Sequence, residues 1–179
     1  MKVLITGATG LIGSELVDLL LKNGIEVHYL STSKSKLVSQ ANYKGFYWNP
    51  NSGEINLDAF DEVETIIHLA GATVSKRWTP SYKEEIINSR VLSTRLLYQS
   101  LSKKQNTVKH IVAASAIGIY PDSLDKIYHE EDTEVDDSFL GKVVYKWENE
   151  VSSFERLGIL VSKVRIGLVL AKDGGALKE

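Results

Sequence analysis

The chain has 179 residues, 43% of them hydrophobic and 25% charged, and a net charge of −2 at pH 7. That is enough chain for one domain with a sizeable core. The balance is that of an ordinary soluble globular protein, with no basic block for nucleic acid or an acidic membrane surface. There is no cysteine, which excludes disulfides, zinc–thiolate centres and thiol nucleophiles.

Taken in chain order, the pattern alternates between strands and helices. Val3-Leu4-Ile5 is a continuous apolar run, as in a strand buried on both faces. It leads into Gly7-Ala8-Thr9-Gly10-Leu11-Ile12-Gly13, a Gly-x-x-Gly-x-x-Gly turn that opens a helix carrying Ile12, Leu16, Leu19 and Leu20. Gly24 falls where a C-terminal cap belongs. Glu26–Leu30 is a second strand and Gly45–Trp48 a short third, followed by a turn over Asn49–Gly53. Thr65–Leu69 is a fourth strand. A helix from Ser81 to Leu101 places Ile87, Val91, Thr94, Tyr98 and Leu101 on one face. His110–Ala114 is a fifth strand, Ser138–Leu157 a helix and Leu160–Ile166 a sixth strand. Asp122–Asp137 is polar and acidic and reads as a surface loop.

This alternation predicts an α/β fold: a Rossmann-type doubly wound parallel sheet with helices on both faces and strand order 3-2-1-4-5-6. One domain over residues 1–179 is expected. The sixth strand, a turn at Gly174-Gly175 and the start of a further helix read as an interrupted fold, so a longer native protein with a C-terminal substrate-binding part is expected.

The glycine turn carries the functional reading. Glycines there let backbone approach a diphosphate, and the following helix offers free N–H groups and positive potential. A strand before the turn and a helix after it give the context that the motif requires. The reading is therefore dinucleotide binding. An acidic residue about 20 positions past the glycines would take the adenosine ribose of NAD. The second strand instead runs into Ser31-Thr32-Ser33-Lys34-Ser35-Lys36, with hydroxyls and ammonium groups suited to a 2′-phosphate. NADP is favoured, with NAD as the alternative. A solvated loop is the competing explanation of these residues.

Several stretches together resemble the extended short-chain dehydrogenase/reductase superfamily. The resemblance is to its NAD-dependent epimerase/dehydratase group and, within it, to the epimerase family proteins. They are the glycine turn; His68-Leu69-Ala70-Gly71-Ala72 with Arg77-Trp78-Thr79; Glu85–Arg90 with Thr94–Leu97; Ser115–Tyr120; Phe139-Leu140 with Trp147-Glu148; and Arg165–Leu170 with Gly174-Gly175. The resemblance implies that Gly7, Thr9, Gly10, Leu11, Ile12 and Gly13 line the diphosphate. It puts Ser31 and Thr32 at the adenosine ribose and its phosphate, although relatives often carry arginine at the position of Thr32. It puts Leu69, Ala70 and Gly71 beside adenine and ribose, Glu85 and Arg90 toward the cofactor from the long helix, and Val169 at the nicotinamide.

Members of the superfamily usually catalyse with Tyr-x-x-x-Lys and a hydroxyl residue, the lysine lowering the tyrosine pKa. None of the eight tyrosines here has lysine four positions on, and the corresponding positions hold Leu140 and Val144. Ser115 and Tyr120 remain as candidate catalytic residues, Ser115 with a strand-end hydroxyl bond as its plainer role. No metal centre is expected, since His68 has no second ligand nearby in sequence. Trp147-Glu148 reads as a core anchor followed by a helix-surface carboxylate, and Trp48 and Trp78 as loop aromatics. The expected function is an NADP(H)-binding oxidoreductase or epimerase-like protein acting on a sugar-like or small carbonyl substrate. A non-catalytic redox sensor is the alternative. No signal-peptide pattern or long apolar run is present, so a cytoplasmic setting is expected. A small molecule is the expected partner, and the sequence is compatible with a homodimer.

Overall fold

The computed structural model describes residues 1–171 and 174–175. The strands are β1 (Lys2–Thr6), β2 (Glu26–Ser31), β3 (Ser39–Gln40), β4 (Tyr43–Asn49), β5 (Glu54–Ile55), β6 (Thr65–His68), β7 (His110–Ala116), β8 (Leu160–Ile166), β9 (Leu170–Ala171) and β10 (Gly174–Gly175). The helices are α1 (Leu11–Lys22), α2 (Pro80–Lys103) and α3 (Phe139–Ser152). Six strands run parallel in the order β4-β2-β1-β6-β7-β8. This is the expected 3-2-1-4-5-6 arrangement. The two-residue β3 and β5 add antiparallel to β4, and β9 pairs antiparallel with β10. The helix start expected past Gly175 lies outside the described residues.

The central strands β1 and β2 are buried on both faces, which explains their continuous apolar runs. On β1, Val3 and Ile5 pack with Val17 of α1 and with Val27 and Tyr29. Leu4, between them, faces the opposite layer with Ile66, Ile111, Leu97 of α2 and Phe154. The two core layers thus follow from period-2 alternation along a single strand.

Local chemistry sets the helix ends. The Thr79 side chain accepts the Tyr82 N–H, with Pro80 in the first turn of α2. Ser138 does the same for Gly141 at α3. Gly24, at φ +71°, follows α1 with its N–H on the Leu21 carbonyl. Two facial assignments differ from expectation. Ile86, not Ile87, is fully buried on α2, while Leu19 of α1 is 57% exposed and the helix packs through Gly13 and Val17. Other stripe positions are as expected: Leu16 and Leu20 of α1 pack on the core, and Val91, Thr94 and Leu101 of α2 are buried. Past α3 a 3₁₀ turn (Ser153–Leu157) completes the helix expected up to Leu157. No helix among the described residues is long and apolar enough to cross a membrane.

Candidate dinucleotide groove

The glycine turn joins β1 to α1 at the carboxyl edge of the sheet, between β2 and β6, where chain order reverses. Ligands of open α/β sheets lie at such a point. Gly7 has φ +75°, and a Cβ on it would come within 3.0 Å of the Leu69 backbone. A Cβ on Gly13 would lie 2.1 Å from the Gly7 carbonyl oxygen. Only glycine at these two positions lets the turn, the β6 end and α1 sit this close.

Two clefts open on either side of the turn. The outer cleft, about 680 Å³, runs from Gly7 and Thr9 past Ser31 and Thr32 to the Trp48–Asn51 turn, with Ala70–Ala72 and one side of α2 opposite. The inner cleft, about 660 Å³, is lined by Gly7, Gly10–Gly13, Leu69, Arg90, Ser115, Trp147 and Val169 among others. Gly7, Gly71 and Ala72 belong to both, so the clefts meet where the turn faces the end of β6.

The sequence candidates divide between the clefts. Thr9, Ser31, Thr32, Ala70 and Glu85 line the outer cleft. Gly10, Leu11, Ile12, Gly13, Leu69, Arg90, Ser115 and Val169 line the inner one. Tyr120 lines neither cleft. Its hydroxyl donates to the His129 carbonyl at 2.8 Å and accepts from Arg165, and its ring stacks on Tyr128. Trp48 is a buried β4 residue rather than a loop aromatic, and it borders the outer cleft. Trp78 is partly exposed, packs on Phe139 and donates to the Val74 carbonyl.

A buried polar chain holds the β1 and β6 ends together. Thr6 Oγ1 accepts the Leu69 and Ala70 N–H groups, each at 3.1 Å, so its own proton goes to His68 Nδ1 at 2.7 Å. The imidazole therefore carries its hydrogen on Nε2 and donates to Thr94 Oγ1 at 3.0 Å, while Thr94 donates on to the Arg90 carbonyl. Burial, with Arg90 nearby, pulls the His68 pKa down to about 4. His68 is thus a neutral crosslink that fixes the backbone of Leu69 and Ala70 at the groove.

Arg90 donates to the Ala72 and Ile86 carbonyls at 3.1 and 3.0 Å and lies over the Trp147 ring at 5.2 Å. Its guanidinium approaches Gly71 so closely that a Cβ there would be 3.0 Å from its central carbon. The residue therefore braces the waist between the clefts as well as lining the inner one. Tyr29 braces the outer rim: its hydroxyl donates to the Lys36 carbonyl and accepts from the Val38 N–H, both at 2.7 Å. This ties down the segment that carries Lys34 and Lys36.

Glu148 is the main departure from the sequence reading. It is buried, not a helix-surface carboxylate. Arg165 donates Nε to Oε1 at 3.0 Å and Nη2 to Oε2 at 3.1 Å, Lys163 lies 3.7 Å from Oε2, and Ser115 Oγ donates to Oε1 at 2.5 Å. Burial opposes ionisation, but the bonds from Arg165 and Ser115 prevail and hold its pKa below the usual carboxylate value. The signal was present: Val144, Trp147, Glu148 and Val151 follow the i, i+3, i+4, i+7 spacing of a buried stripe. Leu140 and Val144, at the positions of the absent tyrosine and lysine, line the inner cleft beside Trp147.

The fit of a dinucleotide can be judged on the residues themselves. The turn and the end of β6 bring bare backbone to the waist, where a Cβ on Gly7 or Gly13 would fill the space. That is the close backbone approach a phosphate-linked ligand needs. The sequence model of the NAD dependent epimerase/dehydratase family matches residues 3–139.

The chain belongs to that family.

An epimerase family protein of Staphylococcus aureus (strain NCTC 8325 / PS 47) is 36% identical over 179 residues, covering 98% of this chain and 57% of its own length. The chain thus spans little more than half the length of the curated relatives it matches. Among solved structures, human epimerase family protein SDR39U1 (isoform 2) with NADPH is similar at 27% identity and TM-score 0.77, over 99% of this chain and 57% of that one. A nucleoside-diphosphate sugar epimerase from Corynebacterium glutamicum is similar at 30% identity and TM-score 0.79, over 99% of this chain and 36% of that one. The Rossmann-type sheet and a nicotinamide-dependent family fold are therefore established for this chain.

Proposed function

We propose that the chain binds NADP(H) as the cofactor half of an oxidoreductase or epimerase-like enzyme, with NAD as the weaker ligand. The observation that carries the reading is the meeting of two clefts at the glycine turn, since a dinucleotide has two lobes joined by a diphosphate. The adenosine lobe would occupy the outer cleft, with Ser31 and Thr32 at the ribose and Lys34 and Lys36 near the 2′-phosphate. The diphosphate would lie on the backbone from Gly7 to Gly13, and the nicotinamide would lie in the inner cleft near Val169. When bound, the cofactor supplies hydride chemistry. NADPH in the human relative supports the NADP preference. The carboxylates that border the outer cleft, Glu84 and Glu85, come from α2 and not from the end of β2, so none takes the usual place of the NAD-selecting acid.

A sugar-like or small carbonyl compound is the proposed substrate class, with the sugar epimerase of Corynebacterium glutamicum as the supporting neighbour. A second reading, binding without turnover as a redox sensor, is favoured by Leu140 and Val144 standing where a proton-transfer pair would be. Ser115 is the catalytic candidate that reaches the inner cleft; Tyr120 would act only from behind Arg165. Thermal shift tests the cofactor, because a ligand of the native state raises Tm by mass action. NADP should raise Tm more than NAD at equal concentration; equal shifts would refute the preference. Absorbance at 340 nm with NADPH and a carbonyl panel separates enzyme from sensor: oxidation with any member supports turnover, and tight binding without oxidation supports the sensor.

A further inference from the structure

The Arg77-Trp78-Thr79 stretch has no part in the cofactor reading. It lies in the connection from β6 to α2, beside the inner cleft. The Trp78 indole N–H donates to the Val74 carbonyl at 2.8 Å, and its ring packs on Phe139 at 5.4 Å. Phe139 in turn carries the Lys83 ammonium 5.0 Å from its ring centre. The Lys76 ammonium lies 5.3 Å from the centre of the Tyr82 ring, and the Tyr82 hydroxyl donates to the Thr73 carbonyl at 2.6 Å. Thr73 and Val74 line the inner cleft, as does Leu140, the chain neighbour of Phe139. Two lysines are thus seated on aromatic rings whose own contacts reach the cleft wall. Arg77, exposed, follows Lys76 in the same connection.

These three cations keep their full charge. The chain has no Asp or Glu between Glu64 and Glu84, and Glu84 and Glu85 border the outer cleft instead. Among the described residues, none of Lys76, Arg77 and Lys83 is paired with a carboxylate; the ion pairs found all involve other cations. A ring face attracts an ammonium and holds it in place, but unlike a carboxylate it does not cancel the charge. The N–H groups stay free for an acceptor. A wall with three unpaired cations and no acid favours an anion.

We propose that this wall of the inner cleft anchors an anionic group of the substrate, a carboxylate or a phosphate, on Lys76, Arg77 and Lys83. The substrate class narrows to a small carbonyl compound that carries an acid group away from its reacting carbon. This rests on the cofactor reading, which puts the nicotinamide ring in the same cleft.

Isothermal titration of the chain saturated with NADP⁺, which fills the phosphate sites of the cofactor, tests this with two matched pairs of probes. Levulinate is compared with levulinamide, its neutral amide, and dihydroxyacetone phosphate with dihydroxyacetone. In wild type the acid member of at least one pair should bind about tenfold more tightly than its neutral partner, as charge-assisted bonds require. A preference confined to one pair identifies the anchored group as carboxylate or as phosphate. Arg77→Gln combined with Lys83→Gln should reduce the ratio to about twofold or less and leave NADP⁺ binding unchanged. Lys109→Gln removes a cation at the opposite edge of the sheet, where Lys109 faces Glu64, and should leave the ratio as in wild type. Equal affinity or no binding for both members of each pair, with NADP⁺ bound, overturns the anion wall and leaves the cofactor reading standing. So does a ratio undiminished in the double variant, or one that falls as far in Lys109→Gln. Failure of wild type to bind NADP⁺ overturns the cofactor reading and this inference with it.

Discussion

At the scale of single residues, the groove depends on atoms that are absent and on charges that are paired. Gly13 has no room for a methyl group, because its Cβ would sit 2.1 Å from the Gly7 carbonyl oxygen. Gly13→Ala should destabilise the protein by about 3 kcal/mol or more, at the upper end of overpacking costs, and should weaken NADP⁺ binding, measured by urea denaturation and titration. Native stability in that variant would contradict the packing described. Glu148→Ala leaves the partly buried Arg165 guanidinium without its carboxylate. A loss of about 3 kcal/mol is expected by chemical denaturation; a loss below about 1 kcal/mol, the range of exposed pairs, would show that the network carries little. The glycine was legible in the sequence because its spacing is tied to backbone geometry. The pairing of Glu148 with Arg165 was not, because it joins a helix to a strand in three dimensions, and neither residue type is ordinarily buried.

At the scale of elements, β1, β6 and α2 are locked together through Thr6, His68 and Thr94, and this lock is sensitive to acid. His68 titrates near 6.5 when unfolded and near 4 when folded. Between those values the unfolded chain binds a proton that the native state refuses, so stability is full above about pH 6.5 and falls as pH drops toward 4. The loss from this group approaches about 3 kcal/mol at the lower end. Urea midpoints measured from pH 7 to pH 4 should fall more steeply in wild type than in His68→Gln, and parallel slopes would contradict the neutral buried imidazole. On the outer rim, Tyr29 fixes the segment bearing Lys34 and Lys36. Replacing both lysines with alanine should weaken NADP⁺ by about tenfold, with little effect on NAD⁺, as removal of charge-assisted phosphate contacts requires. An equal loss for both cofactors would place those lysines outside the phosphate site. The six long strands and three helices were legible from apolar periodicity. Short pairings such as β3 and β5 were not, since two residues show no period. The helix faces were misjudged at Ile87 and Leu19 because sequence gives a helix its stripe but not its exact rotation over the sheet.

At the scale of the whole molecule, sheet order places the glycine turn at the crossover point and opens one cleft on each side of it. The order 3-2-1-4-5-6 followed from strand–helix alternation and the handedness of parallel connections. The two clefts did not follow from sequence, because residues as distant as Thr9, Trp48 and Glu85 on one, or Leu11, Trp147 and Val169 on the other, come together only in the fold. Family membership sets the cofactor class. The most direct measurement is a crystal structure of the chain grown with excess NADP⁺. One continuous ligand is expected, with adenosine between Ser31 and the Trp48–Asn51 turn, phosphates on the Gly7–Gly13 backbone and nicotinamide beside Ser115 and Val169. A ligand confined to one cleft, or a glycine turn with no phosphate against it, would contradict the account.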